Sequence, residues 1–215
     1  MPTEAPRRAP APFPLALRIA ALLWLALWFV VYWRTWGALN FLHLSDISVI
    51  LTCIGVATNS VLLLSSQAVA SILPDALWTL DVCWRLVFHR HLVGGTEYLF
   101  DPQYPLWVRL ITLFHVVMPP LLLWILHREG YDRRAWTLQC AISLPAFIAS
   151  RFAPAAQNIN FAFADPFFRR SWGPAPLHIA VVFLFMALVV YLPTHLLLTR
   201  LFERRHSNVG MAQPN

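Results

Sequence analysis

Four residues carry the chemistry open to this chain: His43, Ser45, Asp46 and His115. A hydroxyl attacks an acyl group near neutral pH only when a base takes its proton, and the base must lie within hydrogen-bond reach. Ser45 is the candidate nucleophile and His115 the candidate base. Asp46 or Asn160 can orient the imidazole or a substrate carbonyl. On one helix, Ser45 points ~100° away from Asp46, whereas His43 and Asp46, at i and i+3, share a face. Those two and His115 also form an alternative set, a metal- or haem-binding group without catalysis, because imidazole suits Zn, Cu and Fe.

The surroundings of His115 make it the strongest of these. It lies in 106–126, LWVRLITLFHVVMPPLLLWIL, an apolar run of 21 residues. At ~1.5 Å per residue that run is about 31 Å long, which matches the ~30 Å hydrocarbon core of a bilayer. Arg109 sits close enough to one end to reach the headgroups, but His115 is roughly 14 Å deep. An ionisable group at that depth is costly unless it faces protein or water, and so marks a functional site by default. Pro119 and Pro120 free backbone carbonyls just beyond it and predict a kink.

Composition agrees with a membrane setting: 59% of the 215 residues are hydrophobic and 12% charged, with a mean hydropathy of +0.60. Soluble domains are nearer ~25% charged. All sixteen basic residues are Arg, gathered at loop and chain ends, which excludes a nucleic-acid-binding reading of the +6 net charge. Cys53, Cys83 and Cys140 fall in apolar segments without CxxC spacing, so neither a disulfide framework nor a cysteine metal site is expected. No cofactor is expected either.

Taken in order, 1–14 reads as a Pro-rich disordered tail with Arg7 and Arg8, and 15–33 as a first transmembrane helix closed by an aromatic belt of Trp28, Tyr32, Trp33 and Trp36. The run 41–73 reads as one long second helix stopped by Pro74-Asp75, and 76–92 as a third, with Asp81 and Arg85 spaced to pair at i and i+4. A Gly-rich loop, 93–104, leads to the fourth at 106–126. Helices over 135–152 and 177–201 follow, with a polar, aromatic loop between them. The expected architecture is an all-α, polytopic bundle of six transmembrane helices over 15–201, with a basic tail at 202–215. No internal repeat is visible.

Loop arginines orient the bundle. With both termini inside, Arg7, Arg8, Arg128, Arg133, Arg134, Arg200, Arg204 and Arg205 face the cytoplasm, and Arg34, Arg90, Arg151, Arg169 and Arg170 face out. Six alternating spans then put the start of helix two (His43, Ser45, Asp46), His115, and the segment after helix five (Asn158, Asn160) in the same half of the membrane. Glu97 and Asp101 join them, so Asn158, Asn160 and Glu97 are candidate substrate-binding residues. Each has a structural reading as well. A membrane serine commonly bonds its own helix, Asp46 can cap helix two, Asn158 and Asn160 can build a turn, and His115 can be a satisfied core histidine.

At these residues the chain resembles a group of uncharacterised bacterial membrane-associated proteins, through LHLSDISVIL, GGTEYLFDPQYPLWVRLITLFHVVMPPLLLWI, GYDRRAW and NINFAFADP. More remotely it is similar to the six-helix YwaF family, whose His-Leu-Cys-Asp pattern, Gly-Thr loop, His and Asn-led motif before a Pro correspond to His43, Leu44, Ser45, Asp46, Gly95, Thr96, His115, Asn160, Phe161 and Pro166. The segment WVRLITLFHVVMPPLLL also resembles the androgen-induced-gene family of intramembrane hydrolases, which cleave fatty-acid esters with a Thr and a His. The resemblance implies a multi-pass enzyme of the bacterial inner membrane acting on lipid acyl esters, as hydrolase or acyltransferase, with His115 as its catalytic histidine. Ser45 stands where the YwaF pattern has Cys, and alignment through Asp46 sets His43 opposite the hydrolases' Thr.

Overall fold

The computed structural model describes residues 12–208, and these are helical without a strand. Among the described residues eight α-helices are formed: α1 (Leu15–Trp36), α2 (Leu44–Thr58), α3 (Val61–Phe88), α4 (Leu106–Ile111), α5 (Phe114–Glu129), α6 (Ala135–Ser150), α7 (Ala175–Phe185) and α8 (Leu192–Asn208). The tails expected at 1–14 and 202–215 lie largely outside the described residues. Phe13 is described, and is buried with its amide bonded to Asn59 Oδ1 at 2.6 Å.

Among the described residues four helices are long and apolar enough to cross a membrane: Leu15–Trp36, Val61–Phe88, Leu106–Glu129 and Ala175–Phe202. Leu44–Thr58 and Ala135–Ser150 are shorter apolar helices. Leu22, Leu23, Leu27, Val30 and Trp33 of α1 are all exposed, a surface suited to hydrocarbon. α3 is the hub, packed most extensively on α5 and then on α2 and α6. Its buried stretch Ser65, Ser66, Gln67, Ala68, Val69, Ala70, Ser71 is small or polar. Small side chains let backbones approach closely, which is how helices associate where hydrophobic transfer supplies little drive. Gly55 of α2 does the same from the other side: a Cβ there would lie 2.9 Å from Leu64 Cγ.

Three expected boundaries are corrected. The single helix over 41–73 is broken at Asn59, which takes a left-handed conformation (φ 57°, ψ 34°), and Ser60 caps α3 by accepting from the Leu63 amide at 3.3 Å. Both are ordinary stop and start residues. Pro74-Asp75, expected to end a helix, instead lies inside α3. Proline costs the helix the bond to the Ala70 carbonyl, and a membrane helix tolerates this where neighbouring helices surround it. Likewise α4 and α5 are separated by a turn at Thr112 and Leu113, one turn before His115, and Pro119 leaves the His115 carbonyl without its helical donor. A π-helical turn, Met186–Tyr191, joins α7 to α8, beside Pro193.

The expected Asp81–Arg85 pair does not form. Asp81 collects the loop instead: its Oδ1 accepts from the amides of Leu92, Val93 and Gly94 (2.7, 2.7 and 3.1 Å) and its Oδ2 from Thr96 Oγ1 and His91 Nδ1. Arg85 turns to the His89 carbonyl and over the Phe100 ring. A buried carboxylate is better compensated by several converging donors than by one flexible guanidinium.

Candidate functional site

α3 and α5 set the centre of the site. Asp75, one residue after the proline in α3, stands 2.7 Å through its Oδ1 from Nδ1 of His115, the second residue of α5. Their relative exposures are 3% and 8%, so the pair is removed from solvent. An ionised carboxylate only accepts, so with Asp75 ionised the proton of this bond lies on Nδ1. Trp78, one turn beyond Asp75, stacks on the imidazole with ring centroids 4.6 Å apart and planes 23° off parallel, and donates its Nε1–H to Tyr98 Oη at 3.0 Å. The imidazole thus has its plane fixed by one neighbour and its tautomer by another.

Beside this pair lies a cavity of about 140 Å³, and its polar wall is formed by Ser45, Ser48, Ser71, Asp75, Asn160 and Tyr191. Asp75, rather than His115, lines it, and Asp75 Oδ2 is a buried atom with no hydrogen-bond partner. Ser48 and Ser71 share a 2.6 Å bond between hydroxyls; two hydroxyls carry two protons and the bond uses one, so one O–H stays free to donate. The Ser45 side chain is half-buried, with no bonding partner among the described residues.

The other expected residues fall into three groups. Asn160, left-handed at φ 51°, lines the cavity but acts mainly as a clamp: Oδ1 accepts from the Leu44 amide (2.9 Å), and Nδ2 donates to the Leu42 carbonyl (2.7 Å) and Ser150 Oγ (2.9 Å). His43 and Asp46 are held near the start of α2 by Asn40, whose carbonyl accepts from His43 Nδ1 (2.9 Å) and whose amide donates to Asp46 Oδ2 (2.5 Å). Asn158 and Glu97 stay apart from the cavity. Asn158 closes its own turn on Phe163 and Ala164, and exposed Glu97 accepts from the Gly95 amide at 2.7 Å.

Sequence reasoning missed Asp75 and Tyr191. The signal for Asp75 was present, a carboxylate inside an apolar stretch at i+4 from Ser71, but the proline before it read as a stop. As for the metal-binding alternative, no three His, Cys, Asp or Glu side chains come together as ligands among the described residues.

A scan against known protein families, a search of curated proteins and a search of solved structures each found no match.

Proposed function

We propose that this chain is an intramembrane acyl-ester hydrolase or acyltransferase, acting on membrane lipids. The observation that carries this reading is the buried 2.7 Å Asp75–His115 pair beside a cavity that also presents Ser45. Here it is the carboxylate rather than the imidazole that shares the cavity with an uncommitted hydroxyl, so Asp75 is the group placed to activate the nucleophile and His115 the group that holds it.

In the reaction, Ser45 Oγ attacks the ester carbonyl carbon and its proton passes to the pair, at the cavity-lining oxygen Asp75 Oδ2. His115, bonded to Oδ1, holds that carboxylate in place and sets its basicity. The free O–H of the Ser48–Ser71 couple donates to the carbonyl oxygen as negative charge grows on it. The C–O bond to the leaving alcohol then breaks, and the proton returns to that alcohol. Water frees the acyl group from Ser45 in hydrolysis; a second alcohol takes it in transfer.

The same reading sets the chain in the bacterial inner membrane with six spans and cytoplasmic termini. The shorter α2 and α6, at 15 and 16 residues, are about 22–24 Å long. A 3₁₀ turn, Ala38–Leu42, precedes α2, and with it the segment nearly matches the hydrocarbon core. The excess of arginines on the side of the α5–α6 connection supports the orientation.

A fluorophosphonate probe tests the proposal on purified protein. Labelling is expected in the native chain, absent in Ser45→Ala, and reduced by at least about a hundredfold in His115→Ala and Asp75→Asn, the scale on which acid–base groups act. Labelling untouched by Ser45→Ala and His115→Ala overturns it.

A further inference from the structure

Below the cavity the interior of the bundle stays polar. On α3, Gln67, Ser71 and Asp75 stand at i, i+4 and i+8 and so share one face. On α6, Gln139 and Ser143 stand at i and i+4. All five are at most 3% exposed, as is Tyr191 of the π-helical turn. Tyr191 Oη lies 3.0 Å from Ser143 Oγ, which accepts from Gln139 Nε2 at 3.0 Å. Gln67 Nε2 donates to Ser66 Oγ at 2.8 Å, and one residue further down Ser65 Oγ accepts from the Asp132 amide in the α5–α6 connection at 3.1 Å. The cavity joins the upper end of this column, because Ser71, Asp75 and Tyr191 all line it.

Three atoms along the column are buried acceptors with no donor among the described residues: Asp75 Oδ2, Gln139 Oε1 and Gln67 Oε1. A buried acceptor left unmatched is expensive, and more so inside a bundle surrounded by hydrocarbon. All three call for a hydrogen from outside the chain, and at ~30 Å³ per molecule the 140 Å³ cavity has room for about four waters. Ser65 to Asp75 spans ten residues of helix, about 15 Å, which is half a bilayer.

We propose that this column of hydroxyls and amides carries a chain of internal waters, and that through it the Asp75–His115 pair exchanges protons with the aqueous phase on the side of the α5–α6 connection. Apart from the proton that Ser45 lends during acyl transfer, Asp75 gains and loses protons from that side, by relay through water and the Tyr191 and Ser143 hydroxyls. This assigns the buried amides a task independent of whether Ser45 is a nucleophile.

The test uses the full-length protein in phosphatidylcholine vesicles, sorted by orientation through a tag appended to the C-terminus. Infrared difference spectroscopy follows the Asp75 carboxyl band, identified by its loss in Asp75→Asn, while pH is stepped on one side at a time. The band is expected to answer a step on the α5–α6 side. In Gln67→Met/Gln139→Met, which keeps the shape but removes the amides, that response should slow at least about tenfold. Tyr191→Phe, which removes one hydroxyl from an intact ring, should slow it as well and serves if the double variant does not fold. A band that follows the opposite side, that does not answer at all, or that keeps its native rate in the folded variants overturns the proposal.

Discussion

Asn160 and Leu44, 116 positions apart, are joined by a 2.9 Å bond from the Leu44 amide to the Asn160 side-chain oxygen, so the loop after α6 supplies the N-terminal cap of α2. The His43 side chain, at the position before the helix, makes no cap bond. Asn160 therefore does from a distance what a local Ser or Asp does in most helices.

The Asn160→Ala variant loses this bond and those to Leu42 and Ser150. With a net contribution of about 1 kcal/mol per bond, a loss of about 2–4 kcal/mol is expected. Denaturant unfolding in detergent micelles measures it, and a change under about 0.5 kcal/mol would show that the clamp is not needed.

Removing one member of the Asp75–His115 pair strands a buried polar partner, whereas removing both does not. Asp75→Leu and His115→Leu should each destabilise by about 2–5 kcal/mol, and the double variant by less than the sum. A coupling of at least about 1 kcal/mol in the double-mutant cycle is expected; strict additivity would deny the pair.

Asp81 gathers three consecutive amides and Thr96 into one loop. In Asp81→Ala those amides lose their acceptor, so hydrogen exchange at Leu92, Val93 and Gly94 should accelerate by at least about tenfold with α3 itself still protected. Unchanged exchange at the three positions would assign the loop's order to something else.

Much of the fold was legible locally. Apolar runs of bilayer length identified the helices, and the alternation of such runs put Ser45, His115 and Asn160 in one half of the bundle before any contact was known. Asn59-Ser60 was a readable break that a continuous apolar pattern masked. Pro74 misled in the other direction, because the cost of a helical proline is set by what surrounds it.

The amino-acid sequence by itself determined an all-helical chain with apolar helices and an imidazole, His115, near the middle of one of them, since hydropathy and helical period are local properties. Only the tertiary structure decided that the partner of His115 is Asp75, that Asp81 serves a loop, and that Asn160 caps a helix 116 residues away. Those pairings depend on how α3 packs against its neighbours, and a buried polar group is satisfied by whichever donor packing brings within 3 Å, not by the one nearest in the chain.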